Sequence, residues 1–160
     1  MLVDSHCHAS LAWYAPVESL LHEMDTNGME RAILIQIVRE YDNAYQQECA
    51  RRYPDRFVSV VHLDGTQADA PQKLERLAAD GATGVRLGAD LRSPGDDPLA
   101  IWRAAERLGL AVSLYRNGTD PALVAEIATA LPTLRLVLEH YTARASSPAE
   151  HQFRPRVADL

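Results

Sequence analysis

Six short apolar runs, each followed by a helical pattern, recur along this chain at intervals of roughly 25 residues. The runs span Leu2–His8, Ala32–Ile37, Phe57–Leu63, Gly84–Leu87, Ala111–Tyr115 and Leu134–His140. Their interiors, such as Ala32-Ile33-Leu34-Ile35 and Val58-Ser59-Val60-Val61, are nearly continuous in β-branched and aliphatic residues. Half-buried strands alternate apolar and polar residues. Continuous runs belong to strands covered on both faces, as in a parallel sheet wrapped by helices. The repeat is therefore a βα unit.

Helix punctuation agrees with that reading. Pro16, Pro71, Pro98 and Pro121 stand where a first helical residue is expected, because a fixed φ and a missing N–H cost nothing there. Asp97 and Asp120 are placed as N-caps. Gly28, Gly81 and Gly109 fall just past helix ends, and Pro54 and Pro132 mark two further stops.

Six units in 160 residues leave a choice of architecture. A closed (β/α)₈ barrel takes about 250 residues. Residues 1–142 are expected to form a βα barrel of the TIM type lacking its last two units, and residues 143–160 a polar tail. An incomplete barrel exposes two strand edges and apolar surface, which pairing between chains would hide, so a homo-oligomer is expected. The alternative is a doubly wound open parallel sheet. Against it, His8-Ala9-Ser10 follows the first strand where a Gly-rich phosphate loop would stand.

Composition narrows the function classes. With 16 basic and 22 acidic residues the net charge is -6, which disfavours a nucleic-acid surface. No apolar stretch reaches membrane-spanning length and no leader pattern opens the chain, so cytoplasmic residence is expected and no membrane partner. Cys7 and Cys49 lack zinc-ribbon or redox spacing and read as packing residues, the alternative for Cys7 being a reactive thiol beside the site.

In α/β folds the chemistry gathers at the C-terminal ends of the parallel strands. Polar residues concentrate there: His6 and His8, Gln36, His62, Arg86, Tyr115-Arg116 and Glu139-His140. Strand side chains alternate, so His6 and His8 share a face and Cys7 takes the other. Two neutral imidazoles converging at a strand end suit a divalent metal such as zinc; the plain alternative is two surface histidines. His62, between Val61 and Leu63, is either a hydrogen-bonded core group or a catalytic one. Arg86 either pairs with Asp90 or Glu139, or grips a substrate carboxylate bidentately, the reading favoured here. Glu139 points away from His140 and is assigned to a salt bridge with the helix layer. His22 and His151 read as solvated surface residues.

Four motifs together resemble the amidohydrolase superfamily, specifically its amidohydrolase-related branch of TIM-barrel hydrolases, lactonases and decarboxylases. They are Val3-Asp4-Ser5-His6-Cys7-His8, Gly81-Ala82-Thr83-Gly84-Val85-Arg86-Leu87, Leu108-Gly109-Leu110-Ala111-Val112 and Val137-Leu138-Glu139-His140. The resemblance implies that His6, His8 and His140 bind a divalent metal, with zinc the expected ion. Catalytic roles are expected for His140 and His62, and substrate binding for Arg86, Tyr115 and Arg116. Members with a metal centre usually take another histidine from the fifth strand, where this chain has Tyr115, and an aspartate after an eighth strand. Relatives thought to work without metal polarise a lactone carbonyl with arginines and histidines, a style that Arg86, Arg116 and Tyr115 suit. The activity implied is hydrolysis of a lactone, ester or amide bond in a small carboxylate-bearing substrate. The alternatives are a non-oxidative decarboxylase and a truncated barrel kept as a non-catalytic binding or oligomerising module.

Overall fold

The computed structural model describes residues 1–115 and 121–139. Arg116, His140 and the expected tail at 143–160 lie outside the described residues, as do Asp120 and His151.

Six parallel strands alternate with five helices among the described residues. They are β1 (Val3–Cys7), β2 (Arg31–Ile35), β3 (Phe57–His62), β4 (Ala82–Gly88), β5 (Ala111–Tyr115) and β6 (Arg135–Leu138), with α1 (Val17–Thr26), α2 (Ala44–Arg52), α3 (Ala70–Ala79), α4 (Ala100–Arg107) and α5 (Pro121–Ala130) between them. The strands hydrogen-bond in the order β1-β2-β3-β4-β5-β6, all in parallel. A doubly wound sheet reverses its strand order at a switch point, and this one has none. The sheet curls into a half-barrel, an incomplete TIM-type α/β barrel, which removes the open-sheet alternative.

Register assigns each strand residue to a face. Val61, Val85, Leu87, Val112 and Leu114 pack under α3, α4 and α5 with Leu74, Ile101, Trp102 and Ile127. Cys7, Ala32, Leu34 and Phe57 form a second cluster under α1 and α2 with Val17, Met24 and Cys49. Trp102 is wholly buried, so truncating it to alanine would cost about 3–5 kcal/mol. Polar ties also fix the helix layer. Gln46 of α2 donates to Ser59 Oγ (2.9 Å) and the Val60 carbonyl (3.0 Å), and Gln47 donates to the Leu77 carbonyl (3.0 Å).

The concave face carries the alternate set, including His62, Arg86, Ser113, Tyr115 and Glu139. Toward the opposite strand ends it is only partly covered: Val58 and Val137 are 38% and 53% exposed. In β1 the register slips between Asp4↔Ala32 and Cys7↔Leu34, so three residues of β1 match two of β2. This bulge leaves Cys7 against the helices and turns His6 and His8, on either side of it, to the concave face.

Several boundaries differ from the sequence expectation. Pro121 opens its helix, but Pro71 is second in α3, Pro16 precedes α1 as its cap, and Pro98 lies two residues ahead of α4. The turn at Pro98 is anchored by Asp97, which accepts the Leu99 N–H at 3.0 Å and the Ala100 N–H at 3.1 Å. Gly28 and Gly109 do close helices, each with φ of +67°. Strand β2 stops at Ile35 because the Gln36 side chain accepts the next ladder donor, the Ile37 N–H, at 2.8 Å.

Candidate active site at the strand ends

His8 is oriented by its neighbour strand. Its Nδ1–H donates to the Ile35 carbonyl at 2.6 Å, which leaves the Nε2 lone pair free to act as a ligand. The Tyr14 ring stacks on it at 4.9 Å, and His6 stands perpendicular to it with ring centroids 5.1 Å apart. A carbonyl-anchored imidazole beside a second imidazole is the chemistry of a divalent metal's ligands. His6 and His8 therefore fit two positions of such a site. The described residues contain no group of three metal-ligating side chains, and the third expected ligand, His140, lies outside them.

His62 ends β3 and is buried. Asn43, the residue before α2, holds its backbone from both sides, accepting the His62 N–H at 3.0 Å and donating to the His62 carbonyl at 2.9 Å. The ring Nδ1–H donates to the Arg86 carbonyl at 2.8 Å. Nε2 is therefore the basic nitrogen. Burial pushes the imidazole below its ordinary pKa of 6.5; the nearby Arg86 charge adds to this, while the hydrogen bond to the Arg86 carbonyl offsets part of it. His62 is thus neutral at pH 7. Tyr41 and Tyr115 flank it, with ring centroids 5.2 and 5.8 Å away.

Arg86 takes the structural alternative. Its Nε lies 2.8 Å and its Nη2 2.5 Å from the two carboxylate oxygens of Glu139, and Nη1 donates to the Gln36 carbonyl at 2.8 Å. Ser113 donates to Glu139 at 2.7 Å. Glu139 therefore turns into the concave face and not to the helix layer, because an arginine buried there demands a counter-charge. Burial raises the Glu139 pKa, but the Arg86 fork and Ser113 outweigh it and hold the carboxyl below its ordinary 4.5. The fork that was expected to grip a substrate carboxylate is already engaged.

Tyr115, at the end of β5, lies with its ring 5.7 Å from the Arg86 guanidinium. Burial, and then the Asp90 charge, push its phenol above 10, so it remains a hydrogen-bond donor. Glycine at position 88 makes room for this ring, since a Cβ there would stand 3.3 Å from the phenol oxygen and 2.7 Å from Asp90 Oδ1. The remaining histidine expected at the surface, His22, is exposed on α1. Cys7 and Cys49 are buried thiols, and burial drives Cys7 up to about 12.

The structure thus brings His6, His8, His62, Arg86 and Tyr115 to one end of the half-barrel. It adds Tyr14, Tyr41 and Asn43, all in the loops following β1 and β2. The one advance signal for Tyr41 and Asn43 was the polar stretch Glu40-Tyr41-Asp42-Asn43 between a strand and a helix, and Tyr14 had none.

Comparison with known proteins fits this fold. The structure is similar to a probable 2-pyrone-4,6-dicarboxylic acid hydrolase of Acinetobacter baumannii, solved with citric acid bound (TM-score 0.69, 22% identity, covering 95% of this chain and 64% of that one). It is similar to amidohydrolase 2 of Bifidobacterium longum subsp. infantis (TM-score 0.66, 16% identity, covering 99% and 69%). A third likeness is to the 5-carboxyvanillate decarboxylase of Novosphingobium aromaticivorans, solved with manganese and 4-hydroxy-3-methoxy-5-nitrobenzoic acid (TM-score 0.56, 17% identity, covering 77% and 49%). The chain spans less than two thirds of the first and third of these. No functionally curated protein matches it. The amidohydrolase family model matches residues 3–158, nearly the whole sequence, and the chain belongs to that family.

Proposed function

We propose that this chain is a hydrolase for a lactone, ester or amide bond in a small carboxylate-bearing substrate, working with a divalent metal, zinc in our reading. One observation carries the proposal. His62 is a buried, neutral imidazole whose Nδ1 proton is engaged by the Arg86 carbonyl, so its Nε2 is a base set between two tyrosines at the strand ends.

His62 Nε2 accepts the proton of the water whose oxygen attacks the substrate carbonyl carbon. The Tyr115 hydroxyl donates to the carbonyl oxygen as negative charge gathers on it. As the tetrahedral adduct collapses and the carbonyl carbon's bond to the leaving oxygen or nitrogen breaks, His62 returns the proton to that atom. Asn43 and the Arg86 carbonyl hold the imidazole in place throughout. His6 and His8, with His140 as the proposed third ligand, would hold the metal, which when bound polarises a carbonyl and lowers the pKa of water.

Family membership supports the reaction class, and the dicarboxylate, citrate and nitrobenzoate named with the structural neighbours support an anionic substrate. The decarboxylase neighbour keeps carbon dioxide release as the second reading. A small-molecule partner, cytoplasmic residence and self-association through the β1 and β6 edges of the described sheet belong to the same proposal. No described helix is long and apolar enough to cross a membrane. The test is a panel of carboxylated lactones, esters and amides, assayed with elemental analysis of the protein. Hydrolysis that His6→Ala abolishes, together with bound metal, is expected. Carbon dioxide release without hydrolysis, or full activity in metal-free His6→Ala protein, contradicts the reading.

A further inference from the structure

We propose that Arg39, in the loop between β2 and α2, captures the substrate carboxylate at the mouth of the half-barrel and so sets the specificity of the site. This rests on the hydrolase reading above. An anionic substrate approaching a chain of net charge -6 needs a cation at the mouth with free donors. Arg86 is engaged by Glu139 and the Gln36 carbonyl. Arg92 is engaged by Glu126 and by the carbonyls of Ala89 and Leu91. Arg31 and Arg135 stand at the opposite ends of their strands.

Arg39 differs from all of these. It is exposed, and among the described residues its side chain makes no ion pair or hydrogen bond. It lies two residues before Tyr41, whose ring packs on His62. Its charge reaches across the mouth to Tyr115, where it opposes the rise of the phenol pKa.

The backbone holds it there at a cost. Arg39 has φ of +71°, and it is the one non-glycine residue with positive φ among those described. A side chain in that region is strained, and the strain persists only where neighbours over-determine the conformation. They do so here. The Gln36 amide donates to the Asp42 carbonyl at 2.6 Å, bridging the loop, and the Glu40 N–H donates to the Ile37 carbonyl at 3.0 Å. The Asp42 N–H in turn donates to Glu40 Oε1 at 3.0 Å. Glycine would satisfy this turn without strain, yet an arginine occupies it. A planar guanidinium with five donors is the group suited to bidentate capture of a carboxylate.

Isophthalate and its neutral counterpart isophthalamide test this by calorimetric binding to the full chain, with the lactone panel run in parallel. Wild-type protein should bind isophthalate at least about ten-fold more tightly than isophthalamide, as a charge-assisted contact confers. Arg39→Gln should abolish that preference, and Arg39→Lys should keep part of it. Arg39→Gly should also abolish it while raising the Tm, because relief of the backbone strain separates lost binding from lost folding. An unchanged preference in Arg39→Gln, or wild-type protein that shows no preference for the acid, overturns the proposal. An Arg39-dependent preference in a protein that turns over no lactone, ester or amide supports the carboxylate site and defeats the hydrolase reading instead.

Discussion

Arg86 on β4 and Glu139 after β6, 53 residues apart in sequence, close a buried two-pronged ion pair across the concave face of the sheet. The side chains are only 7% and 1% exposed, so neither charge is solvated if the other is lost. Glu139→Gln should destabilise the protein by about 3–5 kcal/mol in urea unfolding, because it strands the guanidinium. The double variant Arg86→Met with Glu139→Leu should recover most of that loss. The carboxyl pKa is depressed in the folded state, so its contribution is complete above the ordinary 4.5 and fades as the pH falls below it. Wild-type stability should therefore drop on acidification below pH 4.5 more steeply than that of the double variant.

Asn43 connects the loop after β2 to the backbone of His62 through two hydrogen bonds. Asn43→Leu leaves a buried N–H and carbonyl without partners and should cost about 1–3 kcal/mol for each unsatisfied group. It should also lower kcat more than it raises KM, since it releases the imidazole and touches no substrate. Unfolding curves and steady-state kinetics on the same preparation read both effects.

The imidazole pair at the end of β1 should bind metal through both of its rings. His8→Ala removes an anchored ligand, and His6→Ala removes its perpendicular neighbour. Each should lower bound zinc, measured by elemental analysis after dialysis against limiting chelator, by at least about ten-fold. The far-UV circular dichroism should not change, because both rings lie outside the two apolar clusters.

Much of the architecture was legible in the sequence because burial on both faces writes itself as continuous apolar runs. The six strands and the glycine stops at Gly28 and Gly109 follow from that and from local backbone sterics. Strand-end placement of His6, His8, His62 and Tyr115 was legible for the same reason. The partner of Arg86 was not, since choosing between Glu139 and a substrate depends on how far the sheet curls. Nor does one-dimensional alternation show the bulge in β1, which needs the register of β2. Tyr14, Tyr41 and Arg39 escaped because loops carry no periodicity, and a left-handed arginine has no compositional signature.

The most direct test of the account is the pH dependence of kcat/KM for the best-hydrolysed carboxylated lactone, measured for wild-type protein and His62→Gln. A base must be unprotonated to act, and the His62 pKa is lowered, so activity should fall on the acid side only below 6.5. The raised Tyr115 pKa should keep the alkaline limb above 10. His62→Gln should lose at least about 100-fold in kcat and the acid limb with it, while retaining its metal and its fold. A His62→Gln protein with wild-type kcat and an unaltered acid limb would contradict the assignment of His62 as the base.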